Sequence, residues 1–489
     1  MNINDEYKQR LDKLQEIRKR GLSAYPAQTA RNYRVADFLQ DFSKLLKSQK
    51  KVVLAGRIFS LRLQGGSCFL HFADGSGRLQ AFLRQDSIGA EEYEQFKNFI
   101  DQGDFVEFSG TAFTTKTDES TLLVSNFRLL TKALLPIPDE YYGLKDPDLR
   151  FRKRYLDLIV NPDRKTVFDL RSKIIKLTRN FFDERGYMDV DTPVLQVIAT
   201  GATAKPFVTH HNALDMDLYL RVAPELYLKR LIIGGYDKVY EIARCFRNEG
   251  IDHQHNPEFT QLEAYEAYQD YRGYMELVEK YLESMVKGLF HKTNIKCGND
   301  TLNFKTPYPR LDFKTELDKA LKINIDQASD NDLAAIAMKA NLPVDKSWGR
   351  GKLLDELYKK FVRSKIIQPT FIINHPIELS PLAKKIPDRP NYVERFQLVV
   401  KTAELCNAFS ELNDPLDQAE RFEEQKRLRA AGDDEAQGAD DDFVEALKHG
   451  MPPTAGVGIG IDRLVMMLGD VENIKEVILF PTMRPKAST

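Results

Sequence analysis

Three stretches, far apart in the chain, together constrain what it can fold into. Gly186–Leu195 reads GYMDVDTPVL, Tyr240–Glu263 reads YEIARCFRNEGIDHQHNPEFTQLE, and Gly456–Leu468 reads GVGIGIDRLVMML. The first is a helix-turn-strand ending in Pro193, and proline disfavours continued central-strand pairing. The second gathers Arg247, Glu249, His255, Glu258 and Phe259 into one strand-loop-strand stretch. The third puts Arg463 just after a glycine-rich strand, at the start of an apolar helix. Singly, each has a bland alternative: an edge strand, a surface Arg-x-Glu ion pair, two solvated loop histidines. Chance does not supply three patterns of this length in one chain.

A chain of 489 residues is long enough for more than one domain. From Lys51 to Thr131, short alternating runs (VVLAGRIFSLRL, SCFLHFADG, GRLQAFLRQ, DFVEFSGTAF, TLLVSNFRLL) are separated by turns at Gly65-Gly66, Asp74-Gly75 and Gly103-Asp104. An acidic helical stretch, Ile88 to Ile100, follows the third run. Five strands with a helix after the third is the pattern of an OB-fold barrel, a fold that commonly binds single-stranded nucleic acid through aromatics and loops. Phe69 and His71 share one face of the second strand and Leu70 and Phe72 the other, so only one pair is available to bases. Arg57, Arg62, Arg78 and Arg84 lie on the neighbouring strands.

Ahead of the barrel, Asn4 to Arg20 carries Tyr7, Leu11, Leu14 and Ile17 at helical spacing, with Gly21 and Pro26 to stop it. The segment Leu134–Lys145 reads as a linker, and a helix is predicted from Val167 to Arg185, closed by Gly186. The resulting division is a helical extension over 1–50, the barrel over 51–133, a linker over 134–150 and a second domain over 151–489. The acidic run Gly432–Asp442 reads as a solvated connection.

Several function classes fall away. Lys plus Arg (71) nearly balances Asp plus Glu (72), which argues against a protein that grips phosphates over its whole surface but permits a local basic face. No GxxxxGK[ST] is present, and GVGIG is not GxGxxG, so neither a P-loop nor a dinucleotide fingerprint is supported. Four cysteines without a CxxC pair fit a reducing compartment better than a disulfide or zinc scaffold. The polar N-terminus and the lack of a long apolar run point to a soluble cytoplasmic protein without a membrane partner.

The three stretches resemble motifs 1, 2 and 3 of the class II aminoacyl-tRNA synthetases, and the wording around them resembles the lysyl members. The HIGH and KMSKS signatures of class I are absent. The resemblance runs from about Lys51 to the C-terminus and implies an α+β protein. Its parts would be an OB-fold anticodon-binding barrel and a catalytic domain built on an antiparallel sheet flanked by helices. It implies a homodimer, with motif 1 at the interface, that uses ATP and Mg2+ (up to three ions) to join L-lysine to tRNA(Lys). Adenylate formation needs alignment of a carboxylate with the α-phosphate and cations to absorb phosphate charge. By resemblance, Arg247 bridges the lysine carboxylate and the α-phosphate, Glu249 reads the adenine amino group, and His255 sits near the γ-phosphate. Asn256 joins the ATP site, while Phe259 and Arg463 sandwich the adenine. In the barrel, Phe69 matches the aromatic that stacks on an anticodon base, with Arg57 and Gln80 beside it. The N-terminal helix would turn Lys8, Arg10, Lys13, Arg18, Lys19 and Arg20 towards tRNA.

A lysine pocket must pair an ammonium at the end of an apolar stem, because a buried charge is tolerated only when paired. CNAFSELNDP offers Glu411, LEAYEAY offers Glu263 and Tyr265, and RVAPELYLKRL offers Glu225. The resemblance assigns Glu411 and Tyr265 to the ε-ammonium, with Glu263 close by, and Glu225 with the Gly201 backbone to the α-ammonium. Asn407 and Phe409 line the pocket. Pocket depth rejects arginine, and ornithine is the harder rival. For metal, Glu404 matches the second of two family acids, but Gln397 stands where the first is a glutamate, which leaves the metal number open. Three rivals remain. An aspartyl or asparaginyl enzyme shares PEFTQLE but needs a cationic pocket. A paralogue that lysylates a protein lacks the barrel. In a nucleic-acid binder without catalysis, the barrel alone would act.

Overall fold

The structure is a computed structural model that describes residues 3–138, 144–198, 200–201, 204–345, 348–430 and 440–485. It divides into two compact units, residues 1–150 with 155–162 and residues 151–154 with 163–489.

In the first unit, helix α1 (Ile3–Lys19) precedes β1 (Val52–Gln64), β2 (Ser67–Ala73) and β3 (Arg78–Arg84). Helix α2 (Ala90–Phe99) follows, and then β4 (Phe105–Thr114) and β5 (Ser120–Thr131). The strands close into a barrel in the order β1-β2-β3-β5-β4. Alternation sets its core: Val52, Leu54 and Ile58 from β1, Cys68, Leu70 and Phe72 from β2, and Leu79, Ala81 and Leu83 from β3 point inward. Burying one such leucine or phenylalanine contributes roughly 1.5–3 kcal/mol. Phe69 and His71 take the outer face of β2, as that alternation requires.

Leu14 and Ile17 of α1 join the same core. Two of the basic residues expected to face tRNA do not. Arg10 is buried and donates to the carbonyls of Gln102 and Ala133, and Lys13 pairs with Asp101. Both fasten the helix where the apolar residues beside them dock. The linker expected over 134–150 lies partly outside the described residues, at 139–143.

The second unit is built on one sheet. Its strands are β6 (Met188–Asp189), β7 (Lys238–Phe246), β8 (Glu258–Ala267), β9 (Arg310–Asp312), β10 (Thr370–Pro376), β11 (Arg389–Val400), β12 (Ala403–Ser410) and β13 (Thr454–Gly460). Their order is β9-β10-β11-β12-β13-β8-β7-β6, with Lys385–Ile386 also pairing on β11. Pairing is antiparallel through the centre and parallel only at the two edges, β9-β10 and β7-β6.

Helices α3 (Lys165–Asp183), α4 (Glu225–Ile233), α5 (Tyr271–Phe290) and α6 (Ile461–Leu468) complete the frame. Helix α5 buries Tyr271, Tyr274, Met275, Val278, Tyr281, Leu282 and Met285, a stripe at helical spacing, and Asp270 caps it by accepting from the backbone N–H of Arg272 and Gly273. That stripe packs with Ile174, Phe181 and Phe182 of α3 against Leu262 and Ala264 of β8, Val457 and Ile459 of β13, and Cys406 and Ala408 of β12. One face of the central strands is thus filled by helices, and the residues between these point to the other face. The acidic run 432–442 falls mostly outside the described residues, but its end is not merely solvated. Asp440 is buried, caps the helix Asp441–Lys448 through the Phe443 N–H and binds Arg230. Among the described residues no helix is long and apolar enough to cross a membrane.

Candidate active site

The face of the sheet left free by the helices carries a cavity of about 380 Å³. Strand alternation supplies its floor. From β8 come Phe259, Gln261, Glu263 and Tyr265, and from β13 come Gly456, Gly458 and Gly460, which pair in register with Tyr265, Glu263 and Gln261. The alternate glycines are there for space. A Cβ on Gly456 would lie 2.3 Å from Glu411 Oε1 and from Tyr265 Cε1, and one on Gly458 would lie 2.6 Å from Gln261 Nε2. Strand β12 adds Asn407 and Phe409, and a bulge between β11 and β12 brings Glu404 round to the same cavity.

Arg247, Glu249, His255, Asn256, Phe259, Glu404 and Arg463 all line this cavity. The Arg247 guanidinium lies over the Phe259 ring, 5.0 Å from its centroid, and its buried Nε has no hydrogen-bond partner. Arg463 donates to the Glu404 carbonyl at 3.0 Å and meets His255 Nε2 at 3.4 Å, while His255 Nδ1 contacts Asp252 at 2.9 Å. Burial lowers the Arg463 pKa from its ordinary value, against Glu404, which favours the charged form. Asn256 is buried, with Nδ2 donating to the Glu258 carbonyl and Oδ1 left without a partner. Glu249 is exposed at the rim. An unsatisfied buried donor, Arg247 Nε, with two guanidinium groups at one end of a cavity suits a polyanionic ligand.

The other end is acidic. Glu263 accepts from Gln261 Nε2 at 2.9 Å and from the Tyr265 hydroxyl at 3.0 Å. Glu225 Oε1 lies 2.6 Å from Lys229 Nζ, and Glu411 Oε2 pairs with the same ammonium. Glu411 Oε1 is buried and has no partner. Burial pushes the Glu411 carboxyl well above its ordinary range, against the Lys229 ammonium, and burial with the nearby Glu225 does the same to Glu263. Gly201 adopts φ +92°, and a Cβ there would come within 3.2 Å of the Glu225 Cβ, so glycine lets this backbone run beside Glu225. Arg395 Nε donates to Asn407 Oδ1 at 2.8 Å.

All of the residues predicted for ATP and amino acid therefore line one cavity, and Gln397, predicted for metal alone, does not. Lys229, Gln261, Arg395 and the paired glycines were not foreseen. The alternation in GVGIG and the i,i+4 spacing of Glu225 and Lys229 were the available signals. The first stretch is fastened close by. Arg221 donates to the Thr192 carbonyl at 3.0 Å and to Glu241 at 2.5 Å, and Glu241 accepts from the Thr192 hydroxyl at 2.6 Å.

Behind the cavity, Gln397 Nε2 donates to Glu404 Oε2 at 2.9 Å, and Gln397 Oε1 is buried without a partner. Among the described residues no three His, Cys, Asp or Glu side chains gather to hold a metal. The donor set still fits a magnesium ion that takes most of its ligands from phosphate and water. Glu404 offers one carboxylate and Gln397 one neutral carbonyl oxygen.

On the barrel, the Phe69 ring stacks on Phe82 at 4.1 Å and 11°, and Phe82 faces Phe113 at 6.1 Å. Phe82 and Phe113, passed over in the sequence, extend the aromatic surface. Gln80 Nε2 donates to Glu119 at 2.7 Å and its Oε1 accepts from the Thr121 hydroxyl. Arg57 lies over Phe105, 4.2 Å from the ring centroid, and donates to the Gly103 carbonyl at 3.1 Å.

An antiparallel sheet that carries the three stretches, the second and third of them lining one cavity, defines a class II synthetase catalytic domain. The family profile for tRNA synthetases class II (D, K and N) matches residues 146–484, and that for the OB-fold nucleic acid binding domain matches residues 52–130. The chain belongs to the class II tRNA synthetases. Over its full length it is similar to proteins named lysine–tRNA ligase. The one from Chloroflexus aurantiacus is 47% identical over 100% of both chains, and the one from Syntrophomonas wolfei is 46% identical over 100% of this chain and 99% of its own. The one from Bacillus subtilis is 44% identical over 99% of this chain and 98% of its own.

Proposed function

We propose that the protein activates L-lysine with ATP to lysyl-adenylate and pyrophosphate, then transfers the lysyl group to the 3′ end of tRNA(Lys). The observation that carries this reading is Glu411 Oε1, a buried carboxylate oxygen with no partner, facing a cavity whose other end holds Arg247 and Arg463. A neutral amino-acid side chain would leave that oxygen without a cation, and an acidic one would be repelled, which disfavours asparagine and aspartate.

The chain's own groups carry most of the chemistry. Glu411, Tyr265 and Glu263 take the ε-ammonium, and Glu225 beside Gly201 takes the α-ammonium. Arg247 holds the carboxylate of lysine against the α-phosphate. A carboxylate oxygen bonds to the α-phosphorus as the bond to pyrophosphate breaks, and no proton has to move. Phe259 and Arg463 flank the adenine, Glu249 reads its amino group, and His255 and Asn256 lie along the phosphates. Glu404 with Gln397 would hold magnesium, which would supply charge neutralisation on the phosphate oxygens. A hydroxyl oxygen of the terminal adenosine of tRNA then bonds to the lysyl carbonyl carbon as the bond from that carbon to the AMP oxygen breaks, and the hydroxyl proton passes to the departing phosphate.

ATP–pyrophosphate exchange across all twenty amino acids and ornithine tests the reading. Exchange is expected with lysine. Exchange with aspartate or asparagine alone would discard the pocket assignment, and exchange with none would leave only nucleic-acid binding.

We assign Phe69 to base stacking, with Arg57 and Gln80 beside it. Phe69→Ala is expected to raise KM for tRNA(Lys) about ten-fold or more, since a base–aromatic stack is worth roughly 1–3 kcal/mol, and to leave lysine-dependent exchange unchanged. Loss of both would make Phe69 part of the barrel core. The homodimer reading rests on apolar side chains around the first stretch: Met188, Leu195, Val197 and Val208 are all exposed, the face a second copy would cover. A cytoplasmic site of action suits four cysteines that are buried free thiols.

A further inference from the structure

Lys229 has no role in the reading above, yet it sits at its centre. It projects from α4, its side chain is 1% exposed, and its ammonium meets two carboxylates that belong to opposite ends of the bound amino acid. One is Glu225, assigned to the α-ammonium, and the other is Glu411, assigned to the ε-ammonium. The rings of Phe409 and Phe443 stand 5.4 and 5.9 Å from Nζ and close the site from water. Burial opposes the charge on Lys229, but Glu225 and Glu411 hold its pKa above the ordinary lysine value, so the cation persists.

Charge counting gives this contact a meaning. Glu225 and Glu411 share a single ammonium and Glu263 accepts only from Gln261 and Tyr265, so three carboxylates at this end face one cation in contact. Glu241 is not among them, being paired with Arg221. Arg395, the other cation on this side, donates to Asn407, the Ser380 hydroxyl and the Leu379 carbonyl. A lysine molecule brings two ammonium groups. Geometry adds a second consequence. Because one Nζ holds an oxygen of each carboxylate, it fixes the separation of the two ammonium subsites and turns Glu411 Oε1 free for the ligand.

We propose that Lys229 is the resident counter-ion and spacer of the amino-acid pocket, a positioning residue that matches the pocket to an amino acid with two ammonium groups at the lysine spacing. This rests on the lysine reading of the site. Without Lys229, Glu225 and Glu411 repel one another and the spacing relaxes. Lysine then loses a preformed pair of sites, and ornithine, one methylene shorter, loses less.

The test measures Kd for lysine, for ornithine and for ATP alone on the full chain, with and without Lys229→Met. The expected result is a rise of about ten-fold or more in Kd for lysine, a fall of about ten-fold in lysine-over-ornithine preference, which is the scale of one methylene, and an unchanged Kd for ATP. A purely structural lysine would not move that preference. Lys229→Gln, whose amide can still donate to both carboxylates, is the second variant should the apolar one not fold, and its preference is expected to fall in the same direction. A folded variant with wild-type lysine affinity and preference overturns the proposal. Failure of both variants to fold assigns Lys229 to the core and overturns it too. If the unmutated protein binds no lysine, the pocket reading itself fails, which is a separate outcome.

Discussion

Glu411→Gln is expected to lower kcat/KM for lysine about 10³-fold while ATP affinity stays within about two-fold. The amide keeps the size and the shape but loses the charge, so the ε-ammonium of lysine would enter a buried site that has lost its main counter-ion and keeps only Glu263 beside it. Breaking a buried pair costs about 3–5 kcal/mol, and about 1.4 kcal/mol is a factor of ten. The variant also returns Lys229 to Glu225 alone, which removes the only ion pair that Glu411 makes among the described residues. The same carboxylate predicts a pH effect. Burial raises its pKa well above the ordinary value despite Lys229, and the ionised form is the one that binds. Affinity for lysine is therefore complete above the raised pKa and is lost as pH falls through it, so the loss begins at a higher pH than a surface carboxylate would give. Glu263, raised by burial and Glu225, acts in the same direction. Exchange assays from about pH 8 to about pH 6 should show KM for lysine climbing while KM for ATP holds. A flat KM for lysine would sink the pH reading, and wild-type lysine kinetics in Glu411→Gln would sink the pocket.

What could be read from the sequence followed physical rules of short range. Alternation along SCFLHF set Phe69 and Phe72 on opposite faces, the resemblance chose Phe69 as the outward one, and the strand is so placed. Helical spacing found α1 and α3 to within two residues at either end. The site residues were legible because they sit inside long patterns. What escaped depends on contacts between distant segments. Glu404 reaches the cavity through a bulge that no residue type announces. Arg10 and Lys13 looked like surface cations, but the carbonyls of Gln102 and Ala133 and the carboxylate of Asp101 consume them. Lys229 drew no reading in the sequence, because its partner Glu411 comes from just past the end of β12. Phe82 gave no sign of stacking on Phe69, since register across β2 and β3 decides it.

Arg247→Ala should be the most damaging single change, with lysine-dependent exchange falling about 10⁴-fold. Removing one oxyanion-stabilising donor costs about 10²–10³, and an arginine placed on a transferring phosphoryl group is worth about 10³–10⁵. Arg247 combines that charge with alignment, because one planar guanidinium can hold a carboxylate and a phosphate oxygen side by side. In the structure its Nε is buried and without a partner, and its guanidinium rests on the Phe259 ring, 5.0 Å from the centroid. The group is thus poised in the cavity and, among the described residues, tied to no carboxylate that would have to be displaced. Arg247→Lys should recover about ten-fold at most, since an ammonium is a point charge that cannot bridge two anions in fixed geometry. The loss should fall mainly on kcat, with Kd for ATP and for lysine each changing by about ten-fold or less. That division separates charge stabilisation in the transition state from anchoring of the ground state, which would raise KM and spare kcat. A variant whose kcat is intact and whose KM alone rises would reduce Arg247 to a carboxylate anchor and pass the α-phosphate to Arg463, the guanidinium that shares its end of the cavity.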